Sequence, residues 1–167
     1  MVAANHLSHL DPPLLAVALR RPVRFLALDQ LFGRNPVYDG VMLGFGAIPI
    51  PREGRAPLRA LRTALGHLAL GGVVGVFPEG RRVGSWGETE PRQGAAWLAL
   101  RSDVPLLPVA ISGTERSLGL GATRVRPAKV RMVLAEPMKP ADYRRAPHPR
   151  AAMMDAWRAR IDEHLVW

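Results

Sequence analysis

Val73-Val74-Gly75-Val76-Phe77-Pro78-Glu79-Gly80-Arg81-Arg82 is the stretch from which the fold is read. Its first five residues are apolar whichever way alternate side chains point, the pattern of a short strand covered on both faces, as in a parallel sheet. Proline cannot donate to a strand ladder, so the strand stops at Pro78. A carboxylate, a glycine and two arginines then crowd just past its carboxyl end. In open α/β sheets, ligands bind beyond the carboxyl ends of the strands. The one stretch therefore suggests both an architecture and a place to look for function.

Working outward, strand and helix patterns alternate. Upstream, Pro57 opens a helix whose Leu58, Leu61, Leu65 and Leu68 form an apolar stripe at helical spacing, closed by Gly71-Gly72. Residues 47–50 and Val23–Leu28 read as strands, with a short helix over 36–43 between them. Val2–Ala4 reads as a first strand. Asp11-Pro12-Pro13 reads as a helix start, with Asp11 at the N-cap and Pro12 at the first helical position, running to about Leu19. Downstream, the glycine-rich polar segment 82–92 is a loop, 93–101 a helix, 106–111 a buried strand and 129–135 a late strand. Met153, Met154, Trp157, Ile161 and Leu165 mark a terminal amphipathic helix, read as core packing in preference to a membrane foot. The alternation gives a single α/β domain, a mixed, mostly parallel sheet flanked by helices.

Composition narrows the function classes. The chain has 167 residues, enough for one domain with a real core. With no cysteine, disulfides, thiolate chemistry and Cys-ligated zinc are excluded. The formal charge is +9; only Lys129 and Lys139 are lysines, and every other basic residue is arginine. This favours an anionic partner, although a GC-rich coding bias raises arginine, alanine, glycine and proline together in the same way. Nucleic acid is disfavoured, because the basic residues are not interleaved with stacking aromatics. The first residues lack the basic and apolar regions of a leader. The longest apolar run, 68–77, is far short of the ~20 residues a spanning helix needs, so any membrane contact is expected to be peripheral.

Three polar clusters each follow a strand. In Asn5-His6-Leu7-Ser8-His9-Leu10-Asp11, a turn into the following helix would bring Asp11 to His6. A carboxylate beside an imidazole fixes its tautomer and stabilises the imidazolium, which makes a general base for a hydroxyl. Taken alone, the segment is better read as a capping aspartate and a surface histidine. His9 is a rival base with no evident carboxylate. In Gly46-Ala47-Ile48-Pro49-Ile50-Pro51-Arg52 a strand delivers Arg52 to its end, suited to a phosphate or simply exposed. In Phe77-Pro78-Glu79-Gly80-Arg81-Arg82, Glu79 can orient an arginine or bond a hydroxyl, Gly80 allows close backbone approach, and Arg82 can hold a phosphate. Equally, the cluster reads as a turn decorated with solvated charge.

Together, in order and spacing, these blocks resemble the glycerolipid acyltransferase family of 1-acylglycerol-3-phosphate and glycerol-3-phosphate acyltransferases. The matching residues are His6, four residues and Asp11, preceded by Asn5; Gly46 with Arg52; Phe77-Pro78-Glu79-Gly80 with Arg82; and Val104-Pro105-Leu106-Leu107-Pro108-Val109. Arg81 stands where threonine is common. Gln93-Gly94-Ala95-Ala96 and Ser112-Gly113-Thr114 are also similar to the family. The resemblance implies His6 as general base oriented by Asp11, with Arg52, Glu79, Gly80 and Arg82 holding a glycerol phosphate. It implies direct transfer from acyl-CoA or acyl carrier protein as co-substrate, with no metal and no other cofactor. Backbone N–H groups at the helix start are expected to stabilise the oxyanion. The implied setting is cytoplasmic, peripheral at the inner face of the cell membrane, in phospholipid biosynthesis. Alternatives are another lysolipid or glycolipid acceptor, or a non-catalytic lipid- or carrier-binding module. Residues 1–167 are expected to be one acyltransferase domain lacking the membrane-binding segment that usually precedes the first block.

Overall fold

The computed structural model describes residues 1–28, 48–50 and 56–165. The expected helix over 36–43, with Gly46 and Arg52, lies outside the described residues. The strands are β1 (Val2–Ala4), β2 (Val23–Leu28), β3 (Ile48–Ile50), β4 (Val73–Val76), β5 (Leu107–Ser112) and β6 (Arg131–Leu134). The helices are α1 (Asp11–Leu19), α2 (Ala56–Ala69), α3 (Gly94–Ser102), α4 (Thr114–Leu118) and α5 (Pro149–His164), with a 3-10 turn at Pro140–Asp142.

The six strands form one sheet in the order β3-β2-β4-β1-β5-β6. All pairings are parallel except β5 with β6. The central strand β1 sets Val2 opposite Gly75 on one side and Leu107 on the other. The carboxyl ends of β1, β4 and β5 therefore share one edge of the sheet, and His6, Glu79 and Ser112-Gly113-Thr114 arrive there together.

Side-chain alternation divides the core as the period of a strand requires. Val2, Ala4, Val23, Phe25, Val109 and Ile111 face Leu15 of α1 on one side. Ala3, Val74, Val76 and Ala110 face the other, where α2, α3 and α5 pack. Alanines at 60, 64, 95, 96 and 99 let these helices lie close in a chain poor in aromatics. Trp157 is the large exception. It is fully buried, and its indole Nε1–H donates to the Ala3 carbonyl at 3.0 Å. Met153, Met154, Trp157 and Ile161 are all buried, so the terminal stripe is core, as the pattern suggests.

Three features differ from the sequence reading. The strand expected over 129–135 is shorter and runs antiparallel along the sheet edge. The short helix α4 was not expected, since five residues carry too little periodicity to register. Its entry depends on Gly113, whose φ of +92° and closeness to the Lys129 carbonyl leave no room for a Cβ. Finally, Asp11 is not the N-cap of α1: Leu10 takes that place, with no side-chain capping bond, and Asp11 is the first helical residue. Its carboxylate turns back over the preceding loop.

Candidate active site

The loop between β1 and α1 is built around that carboxylate. Asp11 is fully buried. Its Oδ2 accepts the N–H of Leu7 at 2.8 Å and of Ser8 at 2.7 Å, and bonds His6 Nδ1 at 2.9 Å. Two main-chain donors therefore fix the carboxylate before it meets the ring. A carboxylate can only accept, so His6 carries its proton on Nδ1, and Nε2 is the basic nitrogen.

The imidazole is oriented by packing as well as by charge. Phe77 stacks on it with ring centroids 4.0 Å apart and an interplanar angle of 17°. Phe25 in turn lies parallel to Phe77, 5.7 Å away. Phe25 fits because its register partner in β4 is Gly75, where a Cβ would stand 2.5 Å from the Phe25 ring. Asn5 fixes the end of β1. It is buried, its Nδ2 donates to the Ile111 carbonyl at 2.8 Å, and its Oδ1 accepts the Ile111 N–H at 2.7 Å. The side chain thus continues the β1–β5 ladder past the point where the backbone of β1 leaves the sheet.

The turn after β4 clamps His6 from the other side. Glu79 Oε1 accepts the His6 main-chain N–H at 3.0 Å, and the His6 carbonyl accepts the Val83 N–H at 3.0 Å. Glu79 is buried, and among the described residues its Oε2 has no partner. Burial pushes its carboxyl up to about 7, helped by the nearby Asp11 charge and opposed by the His6 amide. Gly80 has φ +71°, as the turn closed by its N–H on the Phe77 carbonyl requires. The close approach that a glycine permits there is taken by Arg92, whose Nε would lie 2.7 Å from a Cβ at position 80. Arg92 has no signal in the sequence that marks it as part of this rim. It is carried in because its own N–H bonds the Pro78 carbonyl at 2.7 Å.

Arg82 stands two residues after Gly80, near enough to His9 for its charge to act there. His9 is held below the usual imidazole range, first by burial and then by the charges of Arg82 and His6. A histidine disfavoured as a cation beside an arginine is a poor rival base. Arg81 is drawn aside, its guanidinium donating to Glu88 at 2.9 Å. The structure therefore gathers His6, Asp11, Glu79 and Gly80 around one edge of the sheet, with Arg82 following in the same turn, while Arg52 lies outside the described residues.

Most of the N–H groups around the start of α1, where an oxyanion was expected to be held, are already engaged. Those of Leu7 and Ser8 serve Asp11, that of Leu10 bonds Ser8 Oγ, and that of Asp11 bonds the Ser8 carbonyl. Pro12 and Pro13 have none, and the Leu14 N–H is used within the helix. The two prolines that start the helix so cleanly also strip it of donors. Among the described residues, no group of three His, Asp or Glu side chains is placed to hold a metal ion, and no helix is long and apolar enough to cross a membrane.

Residues 1–112 match the family model described as Acyltransferase. Over 166 residues the chain is 28% identical to the 1-acyl-sn-glycerol-3-phosphate acyltransferase of Bacillus subtilis (strain 168), covering 98% of this chain and 79% of that protein. Over 120 residues it is 34% identical to a probable 1-acyl-sn-glycerol-3-phosphate acyltransferase of Mycoplasma genitalium, covering 68% of this chain and 44% of that one. In three dimensions it is similar to the crystal structure of the 1-acyl-sn-glycerophosphate (LPA) acyltransferase PlsC from Thermotoga maritima. The TM-score is 0.76 at 27% identity, covering 99% of this chain and 66% of that chain.

Proposed function

The chain belongs to the acyltransferase family, and from that premise we propose that it moves a fatty acyl group from a thioester to the free hydroxyl of 1-acylglycerol-3-phosphate. The observation that carries the reading is the His6–Asp11 pair: an imidazole with its proton held on Nδ1 by a buried carboxylate, so that Nε2 is the nitrogen able to take another. A lipid- or carrier-binding module has no use for such a base.

In the proposed reaction the acceptor oxygen bonds the thioester carbonyl carbon as its proton passes to His6 Nε2. The tetrahedral oxyanion then collapses, the C–S bond breaks, and the departing sulfur takes the proton back from the imidazolium. No acyl-enzyme forms. Asp11 stabilises the transient positive charge on the ring. Glu79 acts chiefly through the main chain of His6, fixing where the base stands. Gly80 shapes the turn that presents Arg82, which receives the acceptor's phosphate together with Arg52. The donor is acyl-CoA or acyl carrier protein, and the reaction needs no metal or further cofactor. The setting is the inner face of the cell membrane. Acceptor class rests on the relatives' names and on the arginines, whereas acyl transfer rests on the family and on the base.

The test is thiol release from acyl-CoA in the presence of lysophosphatidic acid. His6→Ala should lower the rate at least ~10²-fold, the usual contribution of a positioned general base. An unchanged rate would move the base elsewhere. A wild-type protein that transfers to no acceptor would favour a binding module of the same fold.

A further inference from the structure

Between Glu115 and Glu136 the chain has no carboxylate, while five basic residues, Arg116, Arg124, Arg126, Lys129 and Arg131, fall in the same interval. Within it, residues 120–127 are all exposed. Two of them are large and apolar: Leu120 is 54% exposed and Val125 64%. An exposed leucine or valine alone is ordinary. Two of them on one loop, with Arg124 and Arg126 flanking Val125, are a pattern of alternating grease and positive charge.

The loop is firmly built. The Arg126 N–H donates to the Ser117 carbonyl at 2.9 Å, and Ser117 Oγ donates to the Arg126 carbonyl at 2.7 Å, closing the loop at its neck. The Ala122 N–H bonds the Gly119 carbonyl, and Gly121 turns the tip with φ +81°. The loop also has a fixed place relative to the base. Ser8 Oγ donates to the Leu118 carbonyl at 2.7 Å, and Ser8 forms a bridge with Gly119. Leu120 reaches over Gly84, its Cδ2 4.0 Å from where a Cβ would stand there. Gly84 follows Val83, whose N–H holds the His6 carbonyl. The apolar tip therefore rises from the rim on which the imidazole sits.

We propose that the loop closed by Ser117 and Arg126 is a docking element for an anionic lipid surface, with Leu120 and Val125 entering the headgroup boundary and Arg124, Arg126 and Lys129 meeting lipid phosphates. Apolar insertion plus basic attraction is the chemistry of peripheral membrane binding. A protein partner is the weaker fit. A stable protein contact needs about 800 Å² per side, and a loop of eight residues is small for that. A bilayer needs no shape match. Docking here sets His6 at headgroup level, where the hydroxyl of a lysolipid lies. The proposal rests on the acceptor being a lipid, and its test keeps the two ideas apart.

The test is sedimentation of the full chain with vesicles of phosphatidylglycerol and phosphatidylcholine, and with vesicles of phosphatidylcholine alone. The wild type should bind the anionic vesicles more tightly, and less so as salt is raised. The double variant Leu120→Glu/Val125→Glu should lose at least about tenfold in affinity, the scale of withdrawing one buried aliphatic side chain. It should keep the wild-type melting temperature, and the wild-type rate with a short-chain acceptor dissolved as monomers. Arg124→Gln/Arg126→Gln, a pair less able to disturb folding, should lose binding to the anionic vesicles only. Wild-type binding to neither vesicle, or variants that sediment as the wild type does, would overturn the proposal. So would a defect confined to reactions with acyl carrier protein, which would make the loop a protein-docking site. A wild type that binds vesicles through this loop yet releases no thiol with the dissolved acceptor would sink acyl transfer and leave the docking surface standing.

Discussion

At the scale of single residues, the proposed chemistry depends on how Asp11 is held. Its Oδ2 takes two main-chain N–H groups as well as the His6 ring. These donors demand an acceptor, so in Asp11→Asn the amide oxygen should keep the Oδ2 position. His6 would then retain its tautomer and direction and lose only the negative charge that steadies its imidazolium. The expected loss in kcat is about tenfold to a hundredfold, less than for His6→Ala. Steady-state kinetics of the two variants side by side check this. If Asp11→Asn were as slow as His6→Ala, the ring must have turned, and the carboxylate's role would be geometric. Of these details the sequence carried the pair and its spacing. It did not carry the two amides or the Phe77 stack, because both depend on a loop conformation that no local preference dictates.

At the scale of elements, the site is a matter of where β1 ends. The strand is three residues long, too short to hold His6 in place by its own ladder. Asn5 extends the pairing with β5 through a side-chain amide that mimics a peptide group. Asn5→Ala would leave the N–H and C=O of Ile111 unpaired in a dry interior, at about 1–3 kcal/mol for each group so stranded. We expect a fall in stability of about 2–6 kcal/mol by urea unfolding, with activity in the folded fraction also reduced because His6 follows directly. A change in stability within experimental error would mean that water replaces the amide. Asn5 was visible in the sequence as a neighbour of the histidine, but its partner, 106 residues away, was not. Asp11 shows the opposite case. Its place before two prolines invited a capping role, and the carboxylate instead serves the loop, since tertiary partners outweigh a local preference of about 1 kcal/mol.

At the scale of the whole molecule, Glu79 couples stability to pH. Its carboxyl is raised from 4.5 to about 7, mainly by burial. The folded chain therefore holds a proton that the unfolded chain releases from about pH 4.5 upward. The stability linked to that proton is fully present below 4.5 and lost as pH rises through about 7. By pH 8 the loss is on the order of 3 kcal/mol. Glu79→Gln keeps an acceptor for the His6 N–H and cannot ionise. It should match the wild type in urea unfolding at pH 4.5 and exceed it at pH 8. Parallel stability curves for the two proteins would show that Glu79 ionises as it would in water. A buried acid that destabilises the fold near neutrality, while fixing the main chain of the base, is consistent with strain accepted at a functional site.

By itself the sequence determined the alternation of elements, the buried parallel strand at Val73–Val76, the core character of the terminal helix, and the polar blocks at the strand ends. All of these are local: periodicity, proline and glycine punctuation, and residue type are written within a few positions of where they act. Only the tertiary structure decided the order of strands, the antiparallel seat of β6, and the clamp of Glu79 and Val83 on His6. It also decided the arrival of Arg92 at Gly80. Each of these is a contact between segments far apart in the chain. Such contacts are chosen by the packing of the whole core, whose free energy no short window of sequence contains.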